Sequence, residues 1–179
     1  MSTPTDRVLV WDAVVRALHW SLAATVLFDF VYDDGGRVHR AVGYAATAIV
    51  ALRLLWAAVV RGAARFELLK PSPRATLVYC RALLRGRAAR HPAHDPLGLW
   101  MVWLIWTLVL SLGLTGWMSR LDAFWGDETV QGLHLWLSNV LLAAVVLHLA
   151  GVATMSILWR ENLPASMLSG RKRRLDGTD

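Results

Sequence analysis

The chain has 179 residues, of which 56% are apolar, and it carries a formal net charge of +6. Its positive mean hydropathy and its ten tryptophans are typical of integral membrane proteins and argue against a soluble domain. Its single cysteine, Cys80, excludes an internal disulfide and any motif built on two cysteines. The length leaves no room for a second domain, so we expect one domain over residues 1–179.

Four apolar segments are long enough to cross a bilayer as helices. They lie at about residues 14–32, 38–60, 97–118 and 133–158. All six prolines fall outside these segments, which favours uninterrupted helices. We interpret the first segment as a retained helix, because no basic region and small-residue cleavage site accompany it. The sequence therefore predicts an all-α fold, an integral membrane four-helix bundle.

Basic residues concentrate in the segment 61–96 and in the C-terminal tail. They are Arg61, Arg65, Lys70, Arg74, Arg81, Arg85, Arg87 and Arg90 in the segment, and Arg160, Arg171, Lys172, Arg173 and Arg174 in the tail. By the positive-inside rule, we expect a bacterial inner (cytoplasmic) membrane protein whose termini and 61–96 segment are cytoplasmic. Contact with anionic lipid explains these basic runs better than binding to nucleic acid.

A short amphipathic helix is expected inside the cytoplasmic segment, between the second and third membrane helices. Residues 74–88 mix apolar side chains such as Leu77 and Val78 with arginines such as Arg81 and Arg85. That pattern is typical of a helix lying at the lipid headgroups.

Four histidines occur on the predicted spans, at two depths. His134 and His148 share one face of the last helix, because fourteen residues are close to four turns, and about 21 Å separates them along the axis. His39 begins the second helix and matches the depth of His134 near the outer leaflet. His19 lies just inside the cytoplasmic start of the first helix and matches His148.

Two depth-matched histidine pairs suit two non-covalent b haems stacked across the membrane. A haem iron with both axial positions occupied transfers electrons and does not activate oxygen. A single intramembrane histidine could equally satisfy a helix contact or a hydrogen bond. Four histidines in two matched pairs make that coincidence a poorer explanation.

Small residues follow these histidines along the helices. Gly43 lies four residues after His39, and Gly151 lies three after His148. Such residues would let a flat macrocycle approach the backbone, although they also promote close helix packing in membranes.

Arginines near the histidines are candidate partners for haem propionates. Arg53 lies inside the second helix, fourteen residues after His39 and at about the depth of His148. An arginine buried in lipid normally has a partner, and a propionate of the inner haem would supply one. Snorkelling to the headgroups is the alternative. Arg16 is a second candidate for the inner haem, and Arg40 could serve the outer one.

The sequence resembles the prokaryotic cytochrome b561 family, including the b-type cytochrome subunit of nickel–iron hydrogenases. The resemblance covers nearly the whole chain. It rests on Arg16-Ala17-Leu18-His19-Trp20, His39-Arg40-Ala41-Val42-Gly43, Gly132-Leu133-His134, Val146-Leu147-His148-Leu149 and Trp159-Arg160-Glu161-Asn162-Leu163. It implies a four-helix bundle with two b haems that exchanges electrons with quinone or a redox partner. It also implies ligand roles for His19, His39, His134 and His148.

The resemblance leaves several points open. The short turn between the first two helices and the third helix without a histidine depart from the hydrogenase subunits. The periplasmic partner could therefore be a hydrogenase-like subunit or a c-type cytochrome, and a homo-oligomer and a quinone oxidoreductase activity remain open. We interpret His91 and His94 as surface residues, with a quinone-site or proton-relay role as the alternative. Two other function classes are a cation or proton transporter and a haem-free membrane anchor.

Overall fold

The computed structural model describes residues 7–60, 69–87, 90–91 and 94–174, so that Arg61 and Arg65 of the basic segment lie outside the described residues. In chain order it contains β1 (Arg7–Leu9), α1 (Ala13–Val31), α2 (Arg37–Val59), α3 (Pro73–Leu84), α4 (Pro96–Met118), a 3₁₀ turn (Asp122–Phe124), α5 (Glu128–Leu158), α6 (Leu163–Ser169) and β2 (Arg171–Arg173). Of these, α1, α2, α4 and α5 are long and apolar enough to span a membrane. The predicted all-α membrane bundle is confirmed.

Aspartates cap three of the four long helices and fix where each begins. The carboxylates of Asp12, Asp95 and Asp127 accept hydrogen bonds of 2.8 Å from the backbone N–H groups of Val15, Gly98 and Thr129. The cap at Asp127 starts α5 at Glu128, five residues before the predicted position 133. Hydropathy missed this first turn because its residues are polar. His134 therefore lies in the second turn of α5 and has helix on both sides.

The long helices pack in the order α1, α2, α4, α5. Val26, Val50, Val109 and Leu141 each contribute a buried side chain from one helix to the common core. Helices α2 and α4 approach closely at Gly113, where an added Cβ would overlap the side chain of Thr47. Such contacts between small residues are how helices associate in lipid, where the hydrophobic effect does not draw them together.

Helix α3 is the amphipathic helix expected between the second and third spans. Ser72 caps it, and Pro73 occupies its first turn, where a missing N–H costs nothing. Tyr79 is buried against the bundle, whereas Leu77 and Val78 are 52% and 61% exposed on the opposite face. Exposed arginines flank these apolar side chains, which is the pattern of a helix at the headgroups.

The two strands and α6 were not predicted from the sequence. Strand β1 pairs antiparallel with β2, with Arg7 opposite Arg173 and Leu9 opposite Arg171. The Gly170 carbonyl accepts hydrogen bonds from the backbone of Val10 and Trp11 at 2.8 and 3.1 Å. Three-residue strands are too short to produce a readable alternation of polar and apolar residues. Their pairing brings the two ends of the described chain together at one end of the bundle, beside the start of α1.

Candidate functional site

Both predicted histidine pairs are brought together in the bundle. The ring centroids of His19 on α1 and His148 on α5 lie 6.4 Å apart. Those of His39 on α2 and His134 on α5 lie 6.3 Å apart. Helix α5 thus presents one imidazole to α1 and another to α2, four turns apart on the same helix.

The separation within each pair fits one iron held between two imidazoles. Metal–nitrogen bonds of about 2.0–2.1 Å on opposite sides of the metal would hold the two ring centroids roughly 6.3 Å apart. The measured separations of 6.4 and 6.3 Å match that requirement without any movement of the helices. The residues present therefore fit a bis-histidine haem at each position.

The His39–His134 pair is expected near the outer leaflet and is called the outer pair here, with His19–His148 as the inner pair. Hydrogen bonds fix the tautomers of the outer pair. Nδ1 of His39 lies 3.2 Å from the Tyr32 carbonyl, which can only accept, so this nitrogen carries the proton. Nδ1 of His134 lies 2.8 Å from Thr115 Oγ1, and that hydroxyl lies 2.9 Å from the Ser111 carbonyl. The threonine donates to the carbonyl and accepts from the imidazole. In both histidines Nε2 keeps its lone pair for a metal.

A cavity of about 750 Å³ surrounds the outer pair. Gly43, Gly113, Gly116 and Ser138 line it, so short side chains leave flat space beside the histidines. A Cβ at Gly116 would lie 3.4 Å from Cε1 of His134, so the His134 ring packs directly against the backbone at this glycine. Gly43 was predicted to line a cofactor site and does line this cavity, whereas Gly116 was missed.

Thr115 was also missed, although it holds a ring nitrogen of His134. Helix α4 contains no histidine, so there was little reason to look there for site residues. The available signal was a threonine beside two glycines three residues apart, Gly113 and Gly116, inside an otherwise apolar segment. Polar and small residues on one transmembrane helix indicate an interface or a ligand contact.

Polar and charged groups line the mouth of this cavity. Arg40, a predicted partner of the outer haem, lines it and donates to the Gly35 carbonyl at 2.6 Å. Arg120 also lines it, with its guanidinium carbon 4.7 Å from the centre of the Trp125 ring. Asp29 lies 3.5 Å from Nδ1 of His39. The mouth therefore offers two cations close to the outer pair.

Arg53 stays inside the bundle. Its side chain is 7% exposed, and its guanidinium carbon lies 5.5 Å from the centre of the Trp106 ring. The carboxylate of Asp12 lies within electrostatic range. The snorkelling alternative requires the guanidinium to extend out of the bundle, whereas this side chain stays buried within it.

Arg16 and Gly151 are the two other residues predicted to contact the inner cofactor. Arg16 donates from one terminal nitrogen to the Leu168 carbonyl, and its Nε is buried without a partner among the described residues. A Cβ added at Gly151 would meet no atom within 4 Å. The backbone of α5 is thus uncovered at Gly151, three residues after His148.

His91 and His94, interpreted from the sequence as surface residues, are half-buried and contact aromatic rings. The His94 ring packs 4.8 Å from the ring of Trp11, and burial lowers the pKa of His94 to about 3. The His91 ring meets the edge of the buried Tyr79 at 5.3 Å. Trp11 covers His94 because the β1–β2 pairing holds it there. A contact between distant parts of the chain leaves no local sequence signal.

Comparison with known proteins agrees with this geometry. The family model for prokaryotic cytochrome b561 matches residues 10–170, which include all four membrane helices and both histidine pairs. No curated protein matches the chain. Since the family model matches most of its length, the chain belongs to the prokaryotic cytochrome b561 family, and it is a multi-pass membrane protein of a kind that transfers electrons through haem b.

Proposed function

We propose that this protein carries electrons across the bacterial inner membrane through two bis-histidine b haems, between the quinone pool and a periplasmic redox partner. His39 and His134 are the axial ligands of the outer haem, and His19 and His148 are those of the inner one. The partner is a c-type cytochrome or a hydrogenase-like subunit.

The observation that carries the proposal is the pair of imidazole separations, 6.4 and 6.3 Å, at two levels of one bundle. The two levels lie about 21 Å apart along α5, because His134 and His148 are fourteen residues apart. The two sites therefore lie toward opposite faces of a hydrocarbon core about 30 Å thick. One histidine pair would place a haem near one leaflet only, whereas two pairs place a haem near each leaflet.

The side chains of this site bind, orient and shield the cofactors. When bound, the b haems supply one-electron redox chemistry. Thr115 and the Tyr32 carbonyl hold the Nδ1 protons of His134 and His39, so that Nε2 of each ring is presented as the ligand. Apolar side chains, among them Val26, Val109 and Leu141, line the cavity around the outer pair, and an apolar surrounding strengthens electrostatic interactions inside it.

The number of haems per chain is the decisive test of this function. We expect a dithionite-reduced minus oxidised spectrum of the purified protein to contain sharp b-type bands. Pyridine haemochrome quantitation should give two haems per chain. A haem-free preparation would support the membrane anchor or the cation or proton transporter, and a single haem would contradict the two-site arrangement.

We propose that both termini and the 61–96 segment are cytoplasmic, because the positive charge of the chain concentrates there. Reporter fusions after Gly86 and at Asp179 should give a cytoplasmic signal, and a control fusion after Gly126 should give a periplasmic one. The reverse pattern would invert the chain in the membrane. It would also exchange the inner and outer sites.

A further inference from the structure

An acidic side chain lies inside the membrane bundle, beside the outer pair. Asp29 is the third residue from the end of α1, and its side chain is 18% exposed. It lines the same cavity as His39 and His134. Placing a carboxylate within a membrane helix is costly unless a polar or charged group lies close enough to compensate. The position of Asp29 therefore calls for a partner inside the bundle.

The carboxylate of Asp29 faces the imidazole of His39. Its Oδ1 lies 3.5 Å from Nδ1 of His39, the nitrogen that donates to the Tyr32 carbonyl at 3.2 Å. Oδ1 is buried and receives no hydrogen bond from the described residues. The interaction between this oxygen and the imidazole is therefore electrostatic, across a gap slightly longer than an ordinary hydrogen bond.

Gly43 allows the carboxylate to approach α2 closely. A Cβ at Gly43 would lie 3.4 Å from Oδ2 of Asp29, so this second oxygen packs against the backbone of α2 at the glycine. His39 and Gly43 are four residues apart and share one face of α2. The two oxygens of one carboxylate thus lie against two consecutive turns of α2, which fixes the position of the charge relative to His39.

The two imidazoles of the outer pair have different environments at Nδ1. That of His134 lies 2.8 Å from the neutral hydroxyl of Thr115, whereas that of His39 lies beside the carboxylate of Asp29. A carboxylate next to the second ring nitrogen of a metal-binding histidine raises the basicity of the ligand. Its negative charge also favours the ferric form of a haem iron, because that form carries one more positive charge. Both effects lower a midpoint potential.

We propose that Asp29 is a positioning residue that acts through His39 and lowers the midpoint potential of the outer haem. This inference rests on the proposed function, because it requires a haem between His39 and His134. Asp29 does not bind the iron itself: its carboxylate lies on the Nδ1 side of the imidazole, and Nε2 is the nitrogen presented to the metal. The last turn of α1 is then part of the outer site, although it supplies no ligand to this iron.

The substitution Asp29→Asn tests this role, with Asp33→Asn as the matched control. Both replace a carboxylate that lines the outer cavity with an amide of the same shape, but Asp33 is exposed and lies beyond the end of α1. In a redox titration of the purified protein, we expect Asp29→Asn to raise the midpoint potential of the outer haem and to leave the inner one nearly unchanged. Asp33→Asn should shift the outer potential much less. An unchanged outer potential in Asp29→Asn, or equal shifts in the two variants, would overturn the proposal.

Asp29→Glu separates a charge role from a packing role. It keeps the negative charge on a longer side chain, so the outer potential should stay closer to that of the unmodified protein than it does in Asp29→Asn. If Asp29→Asn loses the outer haem, Asp29→Glu should retain it. Loss of the outer haem in both variants, or the same shifted potential in both, would mean that Asp29 acts through packing and would overturn the proposal.

Electron paramagnetic resonance of the oxidised protein shows whether the effect passes through His39. The low-spin ferric signal of a haem depends on the basicity of its axial imidazoles. The signal of the outer haem should therefore move in Asp29→Asn and stay in place in Asp33→Asn. A shifted potential with an unchanged signal would refute the action through His39. An unmodified protein without an outer haem would refute the proposed function itself, whereas two haems with an unchanged titration in Asp29→Asn would refute only the role of Asp29.

Discussion

His148→Ala is expected to lower the haem content from two per chain to one, with the outer haem retained. His134→Ala should give the converse result, with the inner haem retained. In the proposed arrangement each substitution removes one of the two axial nitrogens of a single iron, and the two pairs lie about 21 Å apart along α5, too far to compensate for each other. Pyridine haemochrome quantitation and low-temperature spectra of both variants provide the measurement.

Two further variants serve as controls for this result. His94→Ala removes a half-buried imidazole, packed on Trp11, that is not a proposed ligand, so both haems should remain. Thr115→Val removes the acceptor at His134 Nδ1 but keeps the ligand, so the outer haem should stay bound with a shifted potential. If His148→Ala and His134→Ala lose the same haem, the proposed pairing is wrong.

The depth of each histidine could be predicted because membrane helices convert sequence position into depth. A continuous apolar helix rises about 1.5 Å per residue, so fourteen residues between His134 and His148 fixed their separation before any tertiary contact was known. The same rule matched His39 to one level and His19 to the other. Backbone hydrogen bonds must be satisfied within each span, which leaves the chain few alternatives to straight helices.

Contacts between helices could not be predicted in this way. Gly116 and Thr115 contact His134 only because α4 packs beside α5. Hydropathy does not show which face of α4 is turned toward α5. Lys172 is buried and His94 half-buried only because β1 and β2 pair across more than 160 residues. The sequence identified both as polar residues near an interface, and Trp11, which contacts both, lies more than 80 residues away from either along the chain.

Arg53→Leu is expected to lower the midpoint potential of the inner haem and to leave the outer one nearly unchanged. The substitution keeps apolar bulk and removes a buried cation, and a nearby cation disfavours the ferric, more positive form of the iron. A unit charge about 10 Å away, at an effective dielectric constant of about 20, contributes roughly 1.7 kcal/mol. For a one-electron couple that energy corresponds to a shift of roughly 70 mV.

The position of Arg53 makes this effect specific to one haem. Its guanidinium lies over Trp106 inside the bundle, and Arg53 is fourteen residues from His39 along α2, at about the depth expected for His148. Arg74→Leu is the matched control, since Arg74 is an exposed arginine on α3 and its loss removes the same charge from the aqueous side. A redox titration of both variants decides the assignment. The assignment is wrong if the midpoint potential of the inner haem is unchanged in Arg53→Leu, or if that of the outer haem moves more. Arg53 then interacts with Asp12 and packs on Trp106, and does not pair with a propionate.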